Sequence, residues 1–124
     1  MKKGIKILII ILAIPIIMLG LKTMFDPTSM IDKWGMTPMG NTGLNSLRSM
    51  FPGILLGGGS MMIIGVWKNN TTWFLATALI MLVVAFGRIL SFSIDGFDAA
   101  SLAPTLYEVV VAVLLIFSHK KLNE

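Results

Sequence analysis

Four long apolar runs constrain this chain more than any other feature: Ile7 to Leu21, Leu47 to Trp67, Trp73 to Ile94 and Leu102 to Phe117. At about 1.5 Å of helical rise per residue, each is long enough, or nearly so, to cross a hydrocarbon core about 30 Å thick. Backbone N–H and C=O groups find no water inside lipid, so a spanning segment must satisfy them internally as a helix. The runs predict helices over approximately 6–25, 46–67, 72–94 and 102–119, in one domain covering residues 1–124.

Composition closes the soluble alternative. Of the 124 residues, 56% are apolar and 13% charged, whereas a water-facing shell on so small a domain needs roughly a quarter of its residues charged. The expected fold class is therefore an all-α integral membrane four-helix bundle, with the lipid bilayer as its first partner. The net charge of +4 does not indicate nucleic acid, because Lys and Arg are scattered at segment ends rather than gathered on one face. With no cysteine in the chain, disulfide frameworks, thiol redox chemistry and thiolate metal sites are excluded.

The first run could be a cleaved signal peptide or a retained helix. It continues through Ile16, Ile17, Met18 and Leu21 without an Ala-x-Ala-like pattern, so retention is expected, with a kink where Pro15 removes a backbone donor. Trp67 and Trp73 bracket a short polar hairpin from Lys68 to Thr72, as aromatic anchors at a membrane boundary do. Lys2, Lys3, Lys6, Lys68, Lys120 and Lys121 share one side, and Lys22 and Lys33 lie across the membrane; the excess of positive charge puts both termini in the cytoplasm. Asp26, Asp32, Asp95 and Asp98 fall on the other side.

The connection from Thr23 to Ser46 is too long to be comfortable as a structureless loop. Asp26 is a good N-cap and Pro27 a good first helical residue, Met30, Ile31 and Trp34 share a side, and Gly35 can end the turn in a left-handed conformation. A short amphipathic helix on the outer membrane surface is expected there.

Ionisable groups inside a span are costly and face protein, water or a partner charge, which singles out Arg48, Arg88 and Glu108. Helical rise places Arg48 about 28 Å above the inner boundary at Trp67, Arg88 about 22 Å above the one at Trp73, and Glu108 about 15 Å from Ser118, near mid-bilayer. An Arg88 to Glu108 interaction is expected, with Arg48 and Asp95 above it and Arg48 as a second positive partner. Arg88, Ser91 and Asp95 form one polar stripe at spacings of three and four, and Tyr107 adjoins Glu108. The cluster reads equally as a charge pair that fixes helix register and as a binding or proton-coupled site.

The second helix carries Gly53, Gly57, Gly58 and Gly59, with Gly53 and Gly57 in small-x-x-x-small spacing. In lipid such a groove admits a neighbouring helix closely, or leaves room for a lipid tail or a small apolar ligand. The run has neither the lysine nor the preceding strand of a phosphate-binding loop.

His119, within a terminal basic cluster, reads as an interfacial residue, and the ten methionines as flexible packing. Metal donors are too few for a transition-metal site, no cofactor is indicated, and no nucleophile, base and orienting residue form a catalytic set. Two Asn-x-Thr matches, at Asn69 and Asn70, fall on the cytoplasmic side by charge and read as chance.

Three short patterns stand in order along the chain: Asn45-x-x-Arg48 with Gly53, Gly87-Arg88 followed by Asp95-Gly96, and Pro104-x-x-x-Glu108. In these the chain resembles the uncharacterised bacterial four-helix membrane family known as domain of unknown function 4345. The resemblance covers most of the chain, although Phe51-Pro52-Gly53 departs from the family's more glycine-rich pattern. It implies a small bacterial inner-membrane protein that shares Arg48, Arg88, Asp95 and Glu108, and it implies no activity. The expectation is a non-enzymatic multi-pass protein with an outer-facing polar pocket for a small ligand, lipid or partner helix. The alternatives are a proton-coupled transporter using Glu108, a homo-oligomer, or an accessory subunit of a larger membrane complex.

Overall fold

The structure, a computed structural model, describes residues 2–122. Four long helices, α1 (Lys2–Phe25), α3 (Gly40–Trp67), α4 (Thr72–Ile94) and α5 (Ala99–Leu122), are each long and apolar enough to cross a membrane. The described residues contain no strand. Between 22 and 28% of the residues in each span's most apolar window are buried inside the protein. The rest of that apolar surface, such as Ile11, Met18, Leu79, Phe86 and Val113, far exceeds what a soluble monomer leaves uncovered, and lipid is its natural solvent.

Three helices extend beyond the lengths their apolar runs predict: α1 begins at Lys2 rather than near Lys6, and α3 and α5 also start early. α3 begins at Gly40 rather than near Ser46, because propagating an existing helix gains one backbone bond for each residue fixed. The hydroxyls in this polar first part bond back to the preceding turn, Ser46 Oγ to Thr42 O at 3.1 Å and Ser49 Oγ to Asn45 O at 2.7 Å, so they do not compete with the helix. α5 begins at Ala99 because Asp98 caps it, its carboxylate accepting from Ala100 N at 3.3 Å and Ser101 Oγ at 2.6 Å. Gly96, at φ +107°, makes the turn before that cap in a conformation that L side chains avoid.

The segment after α1 forms a 3-10 turn, Pro27–Met30, that runs into the single turn α2 (Ile31–Trp34). Pro27 and Met30 are buried, Ile31 and Trp34 half-buried, and Asp32 and Lys33 exposed, so the segment is amphipathic. Gly35 ends it at φ 62°, ψ 33°. Asp26 stands at the N-cap position but its side chain caps no backbone N–H; its Oδ1 accepts from Thr28 Oγ1 at 3.4 Å instead.

α1 packs along α3, α3 turns into α4, α4 packs along α5, and α5 returns to α1, where Tyr107 OH donates to Leu12 O at 2.8 Å. The start of α1, the end of α5 and the Lys68–Thr71 turn gather at one end, where Lys6 Nζ donates to Asn69 Oδ1 and His119 Nδ1 lies 2.8 Å from Thr71 Oγ1. Ile9, Ala13, Met62, Phe74, Val111 and Leu115 fill the half of the bundle on this side.

Contacts divide the glycines of α3 into two groups. A Cβ on Gly53 or Gly57 would meet no atom within 4 Å, so no helix of this chain occupies that small-residue pair, and Gly58 makes only ordinary contact with Thr77 and Met81. At Gly59, by contrast, a Cβ would come within 2.5 Å of Ile17 Cγ1, and at Gly65 within 2.5 Å of Phe74 Cε1. The close approaches therefore sit on the face of α3 that buries Met62, while Gly53 and Gly57 lie on the opposite face.

Candidate functional site

At the end of the bundle away from the termini, α3 and α4 no longer touch through small residues. A cavity of about 480 Å³ opens there between α3, α4 and α5, within the range of small-ligand sites, roughly 300–1,000 Å³. α3 contributes Phe51, Ile54 and Leu55 to its wall; α4 contributes Met81, Val84 and Gly87 below and Phe92 above. Trp34 and Met36 reach it from the amphipathic segment, and Trp34 stacks on Phe51 with ring centroids 5.7 Å apart and planes 18° from parallel.

The polar part of the wall comes from Arg88 and Ser91 on α4, and from Asp98, Ser101 and Glu108 on or just before α5. Arg88 Nε donates to Glu108 Oε1 at 2.8 Å, the one ion pair among the described residues. Their side chains keep 26% and 14% of their surface accessible, so the pair joins α4 to α5 while facing the cavity. Removing two charges from water is repaid only when they meet with good geometry, and the Nε contact meets that condition.

The other two charges of the expected cluster stand apart from this pair. Asp95, at the C-cap of α4, accepts from Ser91 Oγ at 2.9 Å. Arg48, expected as a second partner for Glu108, donates through Nη1 to Met24 O at 2.9 Å and to Phe25 O at 3.4 Å. The reason is local: the last carbonyls of α1 lack intrahelical donors, and a cation at a helix C-terminus also complements its dipole. Because α3 packs along α1, Arg48 lies beside exactly that unsatisfied end, and it acts as a clasp between helices.

No motif or membrane-depth argument marks the wall residues Trp34, Phe51, Phe92 and Asp98 in the sequence. Only the helical spacing of Trp34 with Met30 and Ile31 hinted that its ring turns inward. Trp34 Nε1 is the one buried side-chain polar atom among the described residues without a hydrogen-bond partner. No three His, Cys, Asp or Glu side chains among the described residues come together in a way that could hold a metal ion.

No curated protein and no solved structure matches this chain. A family model does match, over residues 4–119, which include every helix that lines the cavity and both members of the ion pair. The chain belongs to the family described as a domain of unknown function, DUF4345.

Proposed function

We propose that this membrane protein is a binding protein rather than an enzyme, and that it holds a small, largely apolar ligand in the cavity beside Arg88 and Glu108. The cavity itself carries this reading: a space of about 480 Å³ with mainly apolar walls reaches the only ion pair among the described residues. A register-fixing charge pair needs no such space, since helices in lipid gain their association energy from close van der Waals contact. Asp95 and Arg48 then belong to the frame, Asp95 ending α4 and Arg48 holding the end of α1. The lysine distribution supports an orientation with the termini in the cytoplasm and the cavity toward the outer face of the membrane.

Gly87 offers the test of occupancy. It lines the cavity, and a Cβ there would meet nothing within 4 Å. Gly87→Leu should fold as wild type and lose a small-molecule adduct that native mass spectrometry detects on wild-type protein purified from the same membranes. An adduct retained equally by both proteins would place the ligand elsewhere. Orientation has its own test, since the chain has no cysteine: a membrane-impermeant maleimide added to intact cells should label Thr28→Cys and spare Asn70→Cys.

A further inference from the structure

We propose that the lysine-rich end of the bundle holds an anionic phospholipid, its phosphate between Lys120 and Lys121 and one acyl chain along the outward face of α5. The site stands apart from the cavity and does not depend on what the cavity holds. Its apolar part is a shallow groove of about 410 Å³ lined by Val109, Val110, Val113, Leu114 and Phe117. These residues lie on the side of α5 opposite its buried Val111, Ala112, Leu115 and Ser118, and Val110, Val113 and Phe117 stay exposed. From Val109 to Phe117 the helix rises about 12 Å, most of a hydrocarbon half-thickness of about 15 Å. The groove therefore has the length of one leaflet's acyl layer.

Positive charge sits at one end of it. Lys120 and Lys121 follow Phe117 by three and four residues, so helical spacing puts them on either side of the same stripe. Lys121 Nζ stands 6.0 Å from the centre of the Phe117 ring. An ammonium thus leans back over the end of an apolar groove, where a headgroup phosphate with its chain below would lie. Lys3 and Lys6 at the start of α1 and Lys68 in the α3–α4 turn share this end of the bundle, with Lys6 reaching Asn69. No Asp or Glu among the described residues does so. The sequence adds a single acid after them, Glu124, which lies outside the described residues.

Charge also chooses the occupant. Juxtamembrane lysines attract anionic lipid, and the ammonium of a zwitterionic headgroup would find no described carboxylate here to receive it. A free phosphate ion would leave the apolar groove unused. A second copy packed two-fold on this face would bring Lys120 and Lys121 toward their own equivalents. The β-branched Val109, Val110 and Val113 also lack the small side chains through which helices approach closely in lipid.

Thermal unfolding of the full chain in dodecyl maltoside tests the proposal, with dioleoylphosphatidylglycerol, dioleoylphosphatidylcholine or inorganic phosphate added at equal concentration. A ligand that binds the folded state raises Tm with its occupancy. Phosphatidylglycerol should raise Tm more than phosphatidylcholine, by a margin that shrinks as salt rises, and phosphate should have little effect. Lys120→Gln, Lys121→Gln should weaken phosphatidylglycerol binding about tenfold or more, read from the lipid concentration at half the shift. Lys3→Gln, Lys68→Gln removes equal charge from the same end and should weaken it by less than about threefold. Native mass spectra should show single chains that carry phosphatidylglycerol.

No difference between the two lipids would overturn the proposal. A phosphate effect equal to that of phosphatidylglycerol, or equal losses in the two lysine double variants, would overturn it as well. A two-chain particle broken by Val113→Trp would give the face to a second copy, with the same consequence. If Lys120→Gln, Lys121→Gln does not fold, the wild-type contrast among the three additives decides alone.

Discussion

The two halves of this bundle are made from the same kind of apolar helix and solve opposite problems. Near the termini, Gly59 and Gly65 bring α3 against Ile17 and Phe74, and Met62, Val111 and Leu115 close the interior completely. At the other end α3 presents Phe51, Ile54 and Leu55 to a space instead of to a helix, and the polar groups of α4 and α5 border it. A membrane helix needs no hydrophobic burial to stay in lipid, so one half can be sealed by backbone proximity while the other encloses a cavity bordered by a charge pair between α4 and α5. Stability in the first half depends on volume, and in the second on polar partnership.

The largest effect should come from breaking that partnership. Glu108→Ala leaves the Arg88 guanidinium without its counter-charge and should cost about 3–5 kcal/mol in reversible unfolding, with the Arg88→Ala, Glu108→Ala double variant recovering part of the loss. Equal losses in the single and double variants would mean that the pair does not hold α4 to α5. Next comes the sealed half, where Gly59→Leu drives a side chain into Ile17 and should cost about 1–3 kcal/mol. The nearby Gly57→Leu, directed at open space, should stay within about 0.5 kcal/mol of wild type. Similar losses at both glycines would erase the distinction between the two faces of α3.

Smaller effects sharpen the picture of the open half. Arg48→Gln loses the charge that serves the Met24 and Phe25 carbonyls and should cost about 1 kcal/mol, without altering ligand binding. Gly87→Leu should stabilise the isolated helix preference of α4 by up to about 0.8 kcal/mol while emptying the cavity of ligand. Stability and occupancy then move in opposite directions, which a purely structural cavity would not show.

Much of this arrangement was legible before any tertiary contact was known, and the reasons differ from residue to residue. Arg88 and Glu108 could be paired because helical rise alone put them at neighbouring depths, and burial in lipid makes a lone charge there expensive. The same arithmetic could not place Arg48 correctly, since its partner is the carbonyl end of another helix, and that end reaches it only because α1 and α3 pack side by side. Gly53 and Gly57 have the right spacing for a contact, but spacing does not say which face of α3 turns inward. Trp34 was recognisable as one side of a short amphipathic turn; that its ring stacks on Phe51 at a cavity wall depends on where α3 stands.

By itself, the sequence determined the number and type of the crossings, because lipid offers the backbone no partner outside a helix, and it marked the level at which charge enters the bilayer. Only the tertiary structure decided that the Arg88–Glu108 pair borders a space, that Arg48 serves a helix end, and that Gly59 and Gly65 rather than Gly53 and Gly57 carry the close contacts. The physical reason is that helix formation is enforced locally, by hydrogen bonds four residues apart. A cavity is a property of the gaps between helices, set by relative rotation and separation that no single segment encodes.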